Sequence, residues 1–346
     1  MCLLLDPYLL WLPSQGCSRE RLVSFADGIT RWRSAAKDQG IRCLLSDAAT
    51  LALSEEGCYP SRGRLRDDFG RYGVVEYDAN TVFRALEGFL RTQPYLERYT
   101  RLSPEDIILG PNGPSVRPAW LQSRLPARLG EALGASLALI AVICKASAVD
   151  APFVLATADA EGDEGRAEVE FVLEMIQALG DHAVATVACP AHITESVPLA
   201  RTLEEAIDAL GLGALWASSV GTALHSACRR SVDADQRDAA RLRSTLIHPD
   251  FRARVDRHRL SSGQFETILR KIALLIGKQG PPHPSLQVKP LRASGVQPVR
   301  QADGAKAMRA HLTEVGPGYR LHYWQLPDTV IELATVNIHE DFEIPR

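Results

Sequence analysis

The sequence has no Cys-x-x-Cys pair, no basic segment near its start and no apolar run that stays unbroken for the thickness of a bilayer. Each absence excludes something. The seven cysteines, at positions 2, 17, 43, 58, 144, 189 and 228, are odd in number and scattered. That excludes a cysteine-based zinc motif and fits free thiols in a reducing compartment better than a disulfide framework. Met1 is followed by Cys-Leu-Leu-Leu and then an acid, Asp6, so a secretory signal is not supported and a cytoplasmic protein is expected. The apolar stretch Leu133 to Val149 is interrupted by Gly, Ser and Lys and reads as a buried helix, with no membrane association implied. What remains is an ordinary globular composition, 46% hydrophobic and 23% charged over 346 residues, enough chain for two domains.

The formal charge of −3 hides a division. Residues 241–346 hold 16 Lys and Arg against 10 Asp and Glu, a net of +6, which leaves −9 on residues 1–240. A small basic region on a larger acidic one suggests a polyanion-binding unit, with a solvated basic face as the plain alternative.

The pattern along the chain also changes near residue 240. Before it, the apolar run Cys2 to Asp6, a helical pattern from Ser18 to Gln39 and a second run, Ile41 to Asp47, read as β-α-β. A helix over 75–93, a loop at Pro111–Pro118, a helix from Leu121 to Ser147, a strand from Phe153 to Asp159, a helix from Arg166 to Leu179 and a strand from His182 to Ala188 continue that alternation. An open α/β sheet with many helices is expected. Helices over Gly211–Arg230 and Asp233–Arg243 close this part, and the domain boundary is placed near 240 (domains 1–240 and 241–346).

From 244 the order becomes strand, helix, helix, strand and then a three-strand meander around Gly-Pro-Gly, a small α+β domain with a helical hairpin and an antiparallel sheet. Alternation puts Arg309 and His311 on one face of one strand, and Arg320, His322 and Trp324 on one face of the next. His339 falls just past the last strand. Guanidinium and imidazole groups gathered on one surface suit the holding and cleaving of a phosphodiester. Internal transesterification needs a base for the 2′-proton, cations for the phosphorane and an acid for the 5′-oxygen. Imidazole serves in either proton-transfer role near neutral pH, and arginine forks clamp phosphate. The expected catalytic set is His311 and His339 as base and acid, in either order, with Arg309, Arg320 and His322. The plain alternative is that the histidines satisfy core carbonyls and that Tyr323 and Trp324 are core.

Residues 244–346 resemble the RelE/ParE toxin superfamily, and within it the YafQ-like branch. The resemblance rests on the helical hairpin, the Lys289-Pro-Leu291 element, Gly318-Tyr-Arg-Leu-His-Tyr323 and the closing His339-Glu-Asp-Phe342. It implies a RelE-like fold and a metal-free endoribonuclease acting on RNA, many relatives cutting ribosome-bound mRNA. It also implies a toxin–antitoxin or phage-defence setting, restrained by an antitoxin or, here, by the acidic N-terminal region. His311 matches the branch's mid-sheet histidine and His339 its C-terminal one. Lys289 stands where the branch has a further histidine, Phe342 matches the following aromatic, and Glu314 is the nearest candidate for an acid that follows the mid-sheet histidine. Lys289, Lys306, Tyr323 and Phe342 are the expected substrate-binding residues. A non-catalytic nucleic-acid or protein-binding module is the alternative.

In residues 1–240, Asp6, Asp47 and Asp159 each end an expected strand. Acids at the carboxyl edge of a parallel sheet converge on a crevice and resemble, weakly, a PIN-like nuclease site for Mg²⁺ or Mn²⁺. Turn formation and helix capping by aspartate is the plain alternative.

Overall fold

The computed structural model of the protein describes residues 2–13, 16–38, 42–57, 59–147, 153–158, 165–177, 187–231, 242–277, 286–292, 295–313 and 318–345. The chain divides into two compact units, Met1–Leu210 and Gly211–Arg346.

The strands of the first unit are β1 (Cys2–Leu5), β2 (Arg42–Leu44), β3 (Ile107–Leu109), β4 (Ser115–Arg117), β5 (Phe153–Ala156), β6 (Arg166–Ile176) and β7 (Ala191–Ala200). They form one mixed sheet in the order β2-β1-β5-β7-β6-β3, with β4 also on β6. β1 pairs parallel with β2 and β5, and β5 with β7. Every residue of β1 and β5 is buried, which is why these short apolar runs lack alternation: a central parallel strand is covered on both faces. The crossover from β1 to β2 is the helix Arg19–Asp38. Its Leu22, Phe25, Ala26, Ile29 and Trp32 are buried at helical spacing, so one apolar stripe drives the docking. The helix Ala127–Ser147 buries Leu129, Leu133, Leu137, Ile140 and Ala141. Its segment Ala127–Ala146 is long and apolar enough to cross a bilayer, yet 72% of its most apolar window lies inside the unit, as a core helix would. Truncating Leu137 to Ala should cost about 2–5 kcal/mol.

Two expectations fail here. Arg166 to Leu179 is not a helix over its described part. Residues Arg166–Ile176 form β6, antiparallel to β7, β3 and β4. Ala167, Val169, Phe171 and Leu173 are buried while the residues between them are exposed or half-buried, a period of two that the interspersed glutamates disguise as an amphipathic helix. The boundary also falls after Leu210 and not near 240. The helices Leu212–Ser218 and Val220–Arg230 belong with the second unit. Trp216 stacks edge-on against Phe251 and Phe265, at 5.9 and 5.5 Å, and donates its indole N–H to Asp256 at 2.8 Å. The expected strand at 182–188 and helix at 233–243 fall mostly outside the described residues.

The second unit holds β8 (Thr245–Ile247), helices Phe251–Asp256 and Ser262–Ile276, β9 (Val288–Pro290), β10 (Lys306–His311), β11 (Arg320–Gln325) and β12 (Ile331–Asn337). The longer helix starts with a capping box, Ser261 and Gln264 each bonding the other's backbone. Ile268, Leu269, Ile272, Ala273 and Ile276 form its buried face. The sheet order is β8-β12-β11-β10-β9. β12 pairs parallel with β8, and the rest are antiparallel.

Candidate functional site

Register decides which side chains of the second sheet share a face. Lys289 lies opposite Arg309, Arg309 opposite His322, and His311 opposite Arg320; Arg320 and His322 in turn face Asn337 and Thr335. Directly paired residues point the same way, so Lys289, Arg309, His311, Arg320 and His322 share one face, with Lys289, Arg309 and Arg320 as its cations. Lys306 pairs with Gln325, and Met308 with Tyr323. Those residues point to the opposite face.

His311 is half-buried, and its pKa is lowered from the ordinary 6.5 first by burial and then by Arg320, Arg309, Lys289 and His339. Arg320, Arg309, Lys289 and His339 are therefore all close enough to act on it, and no carboxylate offsets them among these influences. Arg320 is buried, its own pKa lowered by burial and by Arg309. The Nε atoms of Arg309 and Arg320 are buried without hydrogen-bond partners. Two partly or fully buried guanidinium groups with donors unspent suit an anion. His339 is exposed. Gly318, at φ +64°, sits where an added Cβ would lie 3.6 Å from the His339 Cβ, so the turn before β11 runs beside that imidazole and its left-handed backbone favours glycine.

What places His339 is a strap formed by the chain after β12. Three side chains at alternate positions of β11 hold its backbone carbonyls. Arg320 Nη1 donates to His339 O at 3.0 Å, His322 Nδ1 lies 3.0 Å from Glu343 O, and Trp324 Nε1 donates to Pro345 O at 2.7 Å. Asn337 adds a bond to Glu343 O at 2.8 Å while its own oxygen accepts from Arg257 and Thr335. Arg254 and Arg257 pair with Glu343 and Asp341 at 3.3 and 3.7 Å. The β11 side chains occupy one face because a strand repeats every two residues.

Three expected site residues, His322, Tyr323 and Lys306, are placed elsewhere than on the open face. His322 is 1% exposed and committed to the strap; burial is the main cause of its lowered pKa. In this structure it holds the strap in position. Tyr323 is 2% exposed, its pKa pushed up to about 12 by burial, on the face away from His311; it is core. Lys306 is exposed but on that same opposite face, so it does not line this field. Lys289 is exposed on the cationic face, and Phe342 is 41% exposed on the strap. Trp324 packs with Leu291, Ala305, Ala307 and Ala334. Glu314 lies outside the described residues. The strap's grip was missed by sequence reading, although Arg320-x-His322-x-Trp324, three donors in step, was its signal.

Among the described residues, the expected aspartates Asp6 and Asp47 do not assemble a cation site. Asp6 is fully buried and ion-paired with Arg124; it also accepts from Thr157 Oγ1 at 2.7 Å and from the Tyr8 backbone N–H at 2.9 Å. It caps the short 3₁₀ turn Pro7–Leu9, as the plain alternative held. Asp47 lies in the first turn of the helix Asp47–Glu55, behind the cap Ser46, and its N–H donates to Glu97 at 2.9 Å. Asp159 is outside the described residues. No family model, curated protein or solved structure matches the chain.

Proposed function

We propose that the second unit is an RNA-cleaving domain of RelE type, acting in the cytoplasm by metal-free transesterification. The observation that carries this reading is the register that puts His311 on one face with Arg320, Arg309 and Lys289, where burial and these cations lower its pKa. His311 is the base: a depressed pKa leaves its ring nitrogen free at neutral pH to take the proton of a ribose 2′-hydroxyl. The 2′-oxygen bonds to phosphorus as the bond to the 5′-oxygen breaks. His339, exposed on the strap, gives the proton to that leaving oxygen, and the products are a 2′,3′-cyclic phosphate and a 5′-hydroxyl. Lys289, Arg309 and Arg320 hold the phosphorane charge, and Phe342 offers a ring for a base to stack on. Ribosome-bound mRNA is the proposed substrate, in a toxin–antitoxin or phage-defence setting, with the acidic first unit or a separate antitoxin as restraint.

The test is induction of residues 211–346 in a bacterial host, beside the same fragment carrying His311→Ala and His339→Ala, with transcript ends mapped. Growth arrest and new 5′-hydroxyl ends that vanish in the double variant are expected. A fragment that folds and neither slows growth nor cuts RNA, free or on ribosomes, removes the reading. Salt-dependent RNA binding indifferent to both histidines would replace it with a binding role.

A further inference from the structure

We propose that the face carrying His311 also binds a free phosphate monoester, inorganic phosphate being the simplest, and that its occupation regulates the same face. The place is built by register. Two rows of paired residues cross the sheet, Lys289, Arg309 and His322 in one and His311 and Arg320 in the next. The rows stand two residues apart along the strands, about 7 Å, within reach of one small anion for side chains as long as arginine and lysine. The groups that act on the His311 imidazole are Arg309 of its own strand, Lys289 of β9, Arg320 of β11 and His339 of the strap, so the charges converge there. Access is from the open side, where Lys289 and His339 are exposed and Arg309 and His311 half-buried. Arg320, 5% exposed, is the floor.

What sets these cations apart is that no acid answers them. In the same unit Arg254, Arg257, Arg270 and Arg300 each pair with a carboxylate. Among the described residues Lys289, Arg309 and Arg320 have no such partner, and no acid figures among the influences on Arg320 or His311. Arg320 spends Nη1 on the His339 carbonyl and leaves Nε unpaired. Arg309 Nε is covered and unpaired as well, and only that nitrogen of the group is closed off from solvent. A buried guanidinium without a counter-charge is unfavourable, and an anion that takes up the spare donors recovers part of that cost. Above its second pKa, near about 6, a phosphate monoester is a dianion with three acceptor oxygens. That matches three cations and two guanidinium forks, whereas a diester within an RNA strand brings one charge to the same place. Free phosphate therefore competes with RNA for the face. Beside His311 the dianion favours the protonated ring, which cannot accept a proton. That phosphate slows cleavage rests on the RNA-cleaving reading above; that it binds does not.

The test is a nuclear magnetic resonance titration of the full-length protein with ring-labelled histidine, the His311 signal being the one missing from His311→Ala. Its pH midpoint is followed as sodium phosphate is added, against sodium chloride at equal ionic strength. The expected result is a saturable rise of the midpoint by about one pH step, with chloride moving it little and His192 of the other unit unmoved. Arg309→Gln should weaken phosphate about tenfold. No phosphate-specific movement at millimolar concentrations, an equal response to chloride, or undiminished affinity in Arg309→Gln overturns the site. Should Arg309→Gln lose the native histidine spectrum, the exposed Lys289→Gln decides: weaker phosphate binding supports the site and unchanged binding overturns it. Cleavage is read separately, as new 5′-hydroxyl RNA ends against rising phosphate. Cleavage undiminished at saturating phosphate overturns the regulation and leaves the RNA-cleaving reading intact. A phosphate-responsive His311 in a protein that cuts no RNA keeps the site and removes that reading.

Discussion

His311 and Arg320 stand directly opposite each other on β10 and β11, and the guanidinium that helps depress the imidazole's pKa also donates to the His339 carbonyl at 3.0 Å. One side chain thereby adds to the burial that depresses the pKa of one histidine and helps to hold the backbone of the other. Arg320→Lys keeps the charge and loses the planar donor. It should leave His311 titrating nearly as before while the strap end near His339 loosens, so kcat falls more than the acid limb of the pH profile moves. A variant whose acid limb shifts strongly with kcat unchanged would contradict that division.

A base must be neutral to act. With its pKa below 6.5, His311 is unprotonated at neutral pH, and single-turnover RNA cleavage should rise with pH only at acidic values and level off before pH 7. Lys289 is exposed, so its influence is screened, and Lys289→Gln should move the acid limb upward by a few tenths of a pH step. Removing a cation makes protonation of His311 easier, hence the upward sign. A downward shift, or a flat profile below pH 6.5, would sink the assignment of His311 as base.

His322 gives a separate effect on stability. Its folded pKa lies below the ordinary 6.5 because burial disfavours the charged ring. The unfolded chain therefore takes up the proton first as pH falls. Stability of the second unit is independent of this group above about pH 6.5, and declines from there down through the folded pKa, at about 1.4 kcal/mol per pH step while only the unfolded state is protonated. His322→Asn should flatten that decline in urea titrations taken from pH 7 to 5. An undiminished slope in the variant would place the acid sensitivity elsewhere.

The strap depends on β11. Trp324→Phe removes the indole donor to Pro345 and leaves a carbonyl unpaired, a loss of about 1 kcal/mol. Trp324→Ala also empties the cluster of Leu291, Ala305, Ala307 and Ala334 and should cost about 3–5 kcal/mol. Hydrogen exchange at Asp341 and Glu343 should quicken in Trp324→Phe with the helix Ser262–Ile276 unchanged. Equal exchange in both proteins would mean that the strap is held without the tryptophan.

How far the sequence revealed all this follows from period and commitment. The meander was legible because Arg309, His311, Arg320 and His322 alternate around a Gly-Pro-Gly connection, and alternation is local information. β6 was not, since glutamates between apolar residues satisfy both a strand and a loose helical stripe, and only pairing with β7 decides. The faces were half legible. Lys306 and Tyr323 were grouped with the cationic residues because they are near in sequence, whereas their register places them behind the sheet. Commitment by tertiary partners was invisible: nothing near Asp6 in sequence announces Arg124, 118 residues away.

The unit boundary can be tested directly. A fragment beginning at 241 lacks Trp216, which packs on Phe251 and Phe265, and the helix Val220–Arg230, whose Leu224, Ala227 and Cys228 are buried. Residues 211–346 should fold with a cooperative transition, whereas 241–346 should be molten or insoluble. Within the longer fragment Trp216→Ala should cost about 3–5 kcal/mol. A cooperative, equally stable 241–346 fragment would show that the helices before it are accessory.

Asp6 separates a structural carboxylate from a metal ligand. Its buried ion pair with Arg124 means that Asp6→Asn removes a charge partner of the guanidinium, and breaking one side of such a pair costs about 3–5 kcal/mol. Thermal unfolding of the full-length Asp6→Asn chain should fall by many degrees, and neither Mg²⁺ nor Mn²⁺ should raise the transition of the natural protein through this residue. A metal ligand behaves in the opposite way: neutralising it relieves like-charge repulsion in the empty site and abolishes metal-dependent stabilisation. An Asp6→Asn protein as stable as its parent but blind to Mn²⁺ would return the carboxyl edge to cation chemistry.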